Sequence, residues 1–172
     1  MLVDFAMIAQ RRLDECANRI KENITTTGTR ASGRTQASIR VEVSADTGTI
    51  YGRKAFSVLQ TGRRGGKVPR GFVDMLKQWA RDKGINPEPI PYIRKASARW
   101  QPKYTPEQRG LNAFAGAVAD RIRMRGTSLY LQGGRNDIYT EPIREAVQGM
   151  KDDLKTAYVA EIVRDLRTLK DI

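Results

Sequence analysis

The run Thr61-Gly62-Arg63-Arg64-Gly65-Gly66-Lys67 is the first stretch of this 172-residue chain whose residue types suggest chemistry. Glycines let backbone N–H groups gather around a phosphate, and a closing lysine supplies charge. The spacing is not that of a nucleotide-binding P-loop. No Ser or Thr follows Lys67, Pro69 comes two residues later, and the preceding segment is not a clean strand. The run reads instead as an exposed, mobile basic loop over 61–71 that docks on a partner through Arg63, Arg64, Lys67 and Arg70. A second candidate lies at 94–104, where Arg94, Lys95, Arg99 and Lys103 are interleaved with Trp100 and Tyr104. That mixture suits stacking on bases with neutralisation of phosphates. It equally suits a protein interface, where Arg and aromatic residues are enriched.

Acid–base and metal chemistry find little to use. The chain has no histidine, which removes His-based triads, His metal sites and His-dependent nucleases. Asp152 and Asp153 are adjacent, so on a helix they point about 100° apart. They form no paired carboxylate site and, beside Lys151 and Lys155, read as a solvated helix face. Cys16 is the only cysteine, so an intrachain disulfide is impossible, and its apolar helical position makes it a small core residue. No zinc-finger, leucine-zipper basic region or RNA-recognition motif is present. The expectation is a protein without catalytic, cofactor or metal site, with a carboxylate- or lysine-based enzyme as the remaining alternative.

The net charge of +12 is unevenly spread. Residues 1–29 balance, 30–70 carry +7, 91–125 carry +6 and 141–172 carry −1. Such a field attracts polyanions or an acidic protein surface. No apolar run is long enough for a membrane span. The opening MLVDFAMIAQRR places Arg11 and Arg12 after an apolar stretch that Asp4 interrupts, unlike a signal peptide. A soluble protein kept inside a cell, or packaged in a particle assembled there, is expected.

The elements that must position these residues follow from periodicity. Apolar residues at three- and four-residue steps predict an amphipathic helix over 2–26, ended by the TTTGT run. A polar loop at 30–36 leads into Ser38–Val43, which alternates as a half-buried strand. Asp46-Thr47-Gly48 then turns it into a return strand, making 37–53 a β-hairpin. A short helix is predicted over 72–83, with Phe72, Met75, Leu76, Trp79 and Ala80 on its core face. Five prolines between 85 and 106 argue against long regular structure, although 92–100 has room for two helical turns. A helix over 107–124 follows, then a short strand, a Gly-Gly turn and an extended piece over 126–140. From Pro142 one apolar stripe runs to the C-terminus, and Gly149 marks a place where that helix could bend or split. The whole reads as one α+β domain over 1–172, an antiparallel hairpin flanked and covered by N- and C-terminal amphipathic helices, with 85–106 as a Pro-rich insertion.

The order of these segments resembles the small neck and tail-completion (head–tail joining) proteins of tailed phages. In that family a TG-R-L-x-x-S-I segment opens the hairpin, and a Y-A-x-x-V/L-E-x-G segment leads to an exposed Gly-rich tip. Ser32-Gly33-Arg34-Thr35 and Ser38-Ile39 match the first; Phe56, Val58, Leu59, Gln60 and Gly62 match the second, with Gln60 where an acid is common. The later VPRGFVDMLKQWARDKGI and GTSLYLQGGRNDIYTEPI segments are similar to related prophage proteins. The chain departs from shorter members through its Pro-rich insertion.

The resemblance implies a structural protein of the virion neck, made in the host cytoplasm, in a connector, tail-completion or tail-terminator role. It implies a homo-oligomeric ring of six or twelve copies around the DNA channel. The implied neighbours are portal, connector or tail-tube proteins and packaged DNA, with no membrane and no catalysis. The alternative from charge alone is a free basic DNA- or RNA-binding protein.

Overall fold

The computed structural model describes residues 4–93 and 101–170. In chain order the elements are α1 (Phe5–Thr26), α2 (Arg34–Ala37), β1 (Arg40–Val43), β2 (Gly48–Tyr51), a 3-10 turn (Lys54–Ser57), α3 (Val58–Thr61), α4 (Phe72–Asp82), α5 (Pro106–Arg125), α6 (Ser128–Leu131) and α7 (Thr140–Lys170). The fold is α+β. Where composition gives no break, the contacts divide the chain into two compact units. One joins residues 1–60 to 135–172; the other, 61–134, is inserted between them.

The discontinuous unit is organised by α1. Asp4 caps its first turn by accepting from the Met7 N–H at 3.1 Å. Its buried residues Ile8, Ala9, Cys16, Ala17, Ile20 and Ile24 recur with helical spacing. The hairpin lies against α1 and pairs Arg40 with Tyr51, Val41 with Ile50, Glu42 with Thr49 and Val43 with Gly48. Val41 and Ile50 face inward; Arg40 and Glu42 face out and bond each other at 2.9 Å. A Cβ at Gly48 would run into Cδ1 of Leu13 on α1, so the Leu13 side chain would have to shift to admit one. The core closes around Cys16, Ala17, Ile20, Ile24, Ile39, Ile138 and Ala146. Full burial of Ile20, Ile24 and Ile138 contributes roughly 1.5–3 kcal/mol each.

Helix α7 packs along α1 as well. Helix α1 thus has two neighbours, the hairpin and α7, and all three contribute to one core. Gly149 does not split α7, which is continuous over 31 residues, about 46 Å. The glycine leaves room for the Arg12 guanidinium, whose Cζ lies 3.1 Å from where a Cβ would stand. Arg12 crosses there to reach Asp153, with Nε 2.6 Å from Oδ2 and Nη2 2.9 Å from Oδ1, and Arg11 adds a bond of 2.7 Å. Asp153 thus belongs to a partly buried ion-pair cluster and not to a solvated face. These guanidinium hydrogen bonds hold its carboxyl down at about 2. Cys16 behaves as expected of a core residue, and burial pushes its thiol up to about 11.

The inserted unit pairs α4 with α5 around Leu76, Ala115 and Ala119, flanked by Phe72, Val73, Val118 and Ile122. Thr105, Pro106 and Gln108 start α5 with a reciprocal capping box. The Pro-rich segment 85–93 has no regular structure and is pinned onto α5. Gly110 admits the Glu88 carbonyl where a Cβ would collide with it. Arg109 donates to the carbonyls of Ile90 and Pro91 at 3.1 and 2.7 Å and lies over the Tyr92 ring at 4.0 Å. The helical turns expected over 92–100 fall largely outside the described residues.

Three further expectations are corrected. The 30–36 loop ends in a helical turn, α2, entered through Gly33 at φ 77°. The extended segment at 126–140 begins instead with the helical turn α6, because the Thr127 hydroxyl caps the Tyr130 N–H. Trp79 is not core: it is 38% exposed, and Met75 beside it is 51% exposed, since α4 turns only Leu76 and Ala80 fully inward.

Candidate partner-docking surface

The 61–71 segment has no helix or strand between Gly62 and Arg70, yet it is tied down. The Arg63 N–H donates to Thr127 Oγ1 at 2.9 Å and the Thr127 N–H returns to the Arg63 carbonyl at 2.9 Å. The Gly66 N–H donates to the Arg123 carbonyl at 2.7 Å. The backbones approach so closely that a Cβ on Gly65 would lie 3.1 Å from the Met124 carbonyl oxygen, and one on Gly126 would lie 2.6 Å from that of Arg63. This is the close-approach use of glycine, more than a source of loop entropy. The loop is exposed at its side chains and fixed at its backbone, which corrects the expectation of a mobile loop.

Its four basic residues divide accordingly. Arg63 turns inward: its Nη2 donates to the Lys67 carbonyl at 2.8 Å, and its Cζ lies 5.4 Å over the Phe72 ring. Its Nε is buried without a hydrogen-bond partner, and the ring face takes part of the charge. Arg63 is therefore the brace of the loop, whereas Arg64, Lys67 and Arg70 are exposed. Docking against the end of α5 also joins two basic stretches that are far apart in sequence. Arg64 and Lys67 come beside the last turns of α5, which carry Arg121, Arg123 and Arg125. Of these, Arg123 is paired with Asp120 at 3.0 Å. Cations suit this helix end, where free carbonyls leave partial negative charge.

Periodicity did not single out this part of α5, because Arg121, Arg123 and Arg125 look like an ordinary polar face until the loop is placed beside them. A cleft of about 460 Å³ opens in the same unit between α4 and α5, lined by Leu76, Trp79, Val118, Arg121, Ile122 and Gly126–Ser128. Of the second basic–aromatic cluster, Arg94, Lys95, Arg99 and Trp100 lie outside the described residues. Lys103 and Tyr104 are exposed, with the ammonium 5.4 Å over the ring.

The charge is segregated between the units. Residues 61–134 carry fifteen basic side chains against five acidic ones, a net +10, which leaves +2 for the rest of the chain. In the discontinuous unit Arg11, Arg12, Arg19, Arg40, Arg135 and Arg164 all pair with carboxylates. In the inserted unit Lys77 pairs with Asp74 and Arg123 with Asp120.

A second unsatisfied surface belongs to α7. Beyond its contact with α1, Tyr158, Val159, Ile162, Val163 and Leu166 are exposed, by 52% at Tyr158, 57% at Ile162 and 61% at Leu166. Among the described residues no helix is long and apolar enough to cross a membrane, and no three His, Cys, Asp or Glu side chains are grouped to share a metal ion. Set against models of known families, curated proteins and solved structures, the chain matches none of them.

Proposed function

We propose that this chain is a non-enzymatic structural subunit of the neck of a tailed phage, forming a ring at the head–tail junction in a connector, tail-completion or tail-terminator role. The reading starts from the segment order around Ser32–Ile39 and Phe56–Gly62. The observation that carries it further is the half-covered α7. A helix of 31 residues that leaves Tyr158, Ile162 and Leu166 more than half exposed presents a contiguous apolar stripe of the kind that marks a protein contact. The occupant that fits a ring is a second copy of this chain. A head-to-tail contact between different faces of neighbouring copies closes into a ring when the rotation allows it.

The concentration of charge in the inserted unit favours one second reading, a free DNA- or RNA-binding protein. The two readings part on assembly, since a free binder has no need of the α7 stripe. Replacing Ile162 and Leu166 together with Ser removes apolar groups that are already solvated, so folding is retained. On the neck reading the variant stays monomeric and heads accumulate apart from tails by electron microscopy. Normal infectious particles from the double variant contradict it.

A further inference from the structure

We infer that the inserted unit, residues 61–134, is the part of this protein that holds nucleic acid, and that it does so by gripping the phosphate backbone of duplex DNA through Arg64, Lys67, Arg121 and Arg125. The inference deepens the neck reading, which supplies the DNA.

The first observation is segregation. Nearly all of the net charge, +10 of +12, sits in an insert that interrupts a nearly neutral scaffold. Solubility alone gives no reason to confine the charge to one unit. The second is preorganisation. The loop carrying Arg64 and Lys67 is fixed by the backbone bonds Arg63–Thr127 and Gly66–Arg123, so its cations are set beside those of α5 before any partner arrives. Arg63 and Phe72 brace it from within. The third is the lack of counter-charge. Arg64, Lys67, Arg121 and Arg125 are exposed, and among the described residues none has a carboxylate within ion-pair distance. Like charges crowded without partners raise the free energy of the isolated protein, and a polyanion relieves it. Phosphates fit guanidinium groups in fork geometry and need no base contacts, so this grip is independent of sequence.

The test measures binding of the full chain to a labelled duplex of about 20 base pairs by fluorescence anisotropy between about 50 and 200 mM salt. Two variants of equal charge are compared with wild type. One replaces Arg64, Lys67, Arg121 and Arg125 with Ser; the other replaces Arg30, Arg34, Arg53 and Lys54, exposed cations of the scaffold unit, with Ser. The insert variant is expected to weaken binding roughly tenfold or more at the lower salt and to flatten the slope of log affinity against log salt by about 3–4. The scaffold variant is expected to keep the wild-type slope. A third variant, Arg64→Lys with Arg121→Lys and Arg125→Lys, should bind, which separates lost charge from lost folding.

Equal losses in both Ser variants would overturn the inference, because net charge alone would then explain binding. So would the absence of duplex binding by wild type at low salt. Polyglutamate competing as well as unlabelled duplex would reassign the surface to an acidic protein and overturn it too. A chain that assembles and joins heads to tails yet ignores duplex would fail here while leaving the neck reading intact.

Discussion

The buried side chain of Gln60 closes the N-terminal end of α7 at Thr140. Its Oε1 accepts from the backbone N–H groups of Tyr139 at 2.9 Å and Thr140 at 3.2 Å, and its Nε2 donates to Thr140 Oγ1. Gln60 is a buried polar side chain, and it satisfies donors that a helix start otherwise leaves open. The Gln60 carbonyl also accepts from the Arg135 N–H at 2.9 Å, which stitches together the points where the insert leaves and rejoins the scaffold.

Gln60→Leu leaves two buried N–H groups without acceptors, at about 1–3 kcal/mol each. The variant is expected to lose about 2–5 kcal/mol in urea unfolding. Gln60→Glu keeps an acceptor in the same place, with negative charge favoured at a helix N-terminus, and should recover most of the loss at neutral pH. If Leu and Glu behave alike, the cap contributes nothing.

The same stitch predicts independence of the scaffold. Deleting residues 62–133 and bridging the ends with a short Gly-Ser linker should leave the α1–hairpin–α7 unit folded, because Gln60 and Arg135 are already held together. Circular dichroism should show a cooperative melt for the deletion protein. A chain that is unfolded at room temperature would mean that the insert is required for the scaffold core.

Asp153 gives an acid-sensitive link between α1 and α7. Its folded-state pKa lies below that of a free carboxylate, at about 2, because Arg12 and Arg11 bond the charged form. A lowered pKa stabilises above the ordinary carboxylate range and is lost as pH falls from there toward about 2. Stability measured by urea unfolding should therefore fall through that window in wild type and fall less in Asp153→Asn, which has already lost the bond. Parallel profiles for the two proteins would remove Asp153 from the account.

Gly110 tests the attachment of the Pro-rich segment. A methyl group there meets the Glu88 carbonyl, a backbone atom that cannot rotate away. Gly110→Ala should cost about 1–3 kcal/mol by overpacking and release 85–93 to protease. Unchanged protection of that segment would show that Arg109 holds it alone.

Much of the fold was legible because it depended on local rules. The apolar period of α1, the alternation of Ile39–Val43 and the Asp46–Gly48 turn each carry their own signal. The Thr105–Gln108 capping box is an equally local signal. The misses share a cause, in that tertiary partners decided them. Thr127 caps the turn Ser128–Leu131 and also clasps Arg63, a partner far away in sequence. Trp79 falls on the apolar face of α4 by period, but α5 covers only Leu76 and Ala80 fully. Asp153 looks solvated until Gly149 lets Arg12 across. Of the docking surface, the residue types were legible; the split between Arg63 as brace and Arg64 and Lys67 as exposed cations was not.

The central claim is assembly, and the mass of the native particle subunit complex tests it most directly. Native mass spectrometry of the protein released from intact particles should give a closed ring of identical chains, six or twelve on the implied family pattern. The Ile162→Ser, Leu166→Ser variant, made in the same host, should give the 19.3 kDa single chain. A wild-type protein that is strictly monomeric inside intact particles, or a double variant that still forms the ring, would contradict the account.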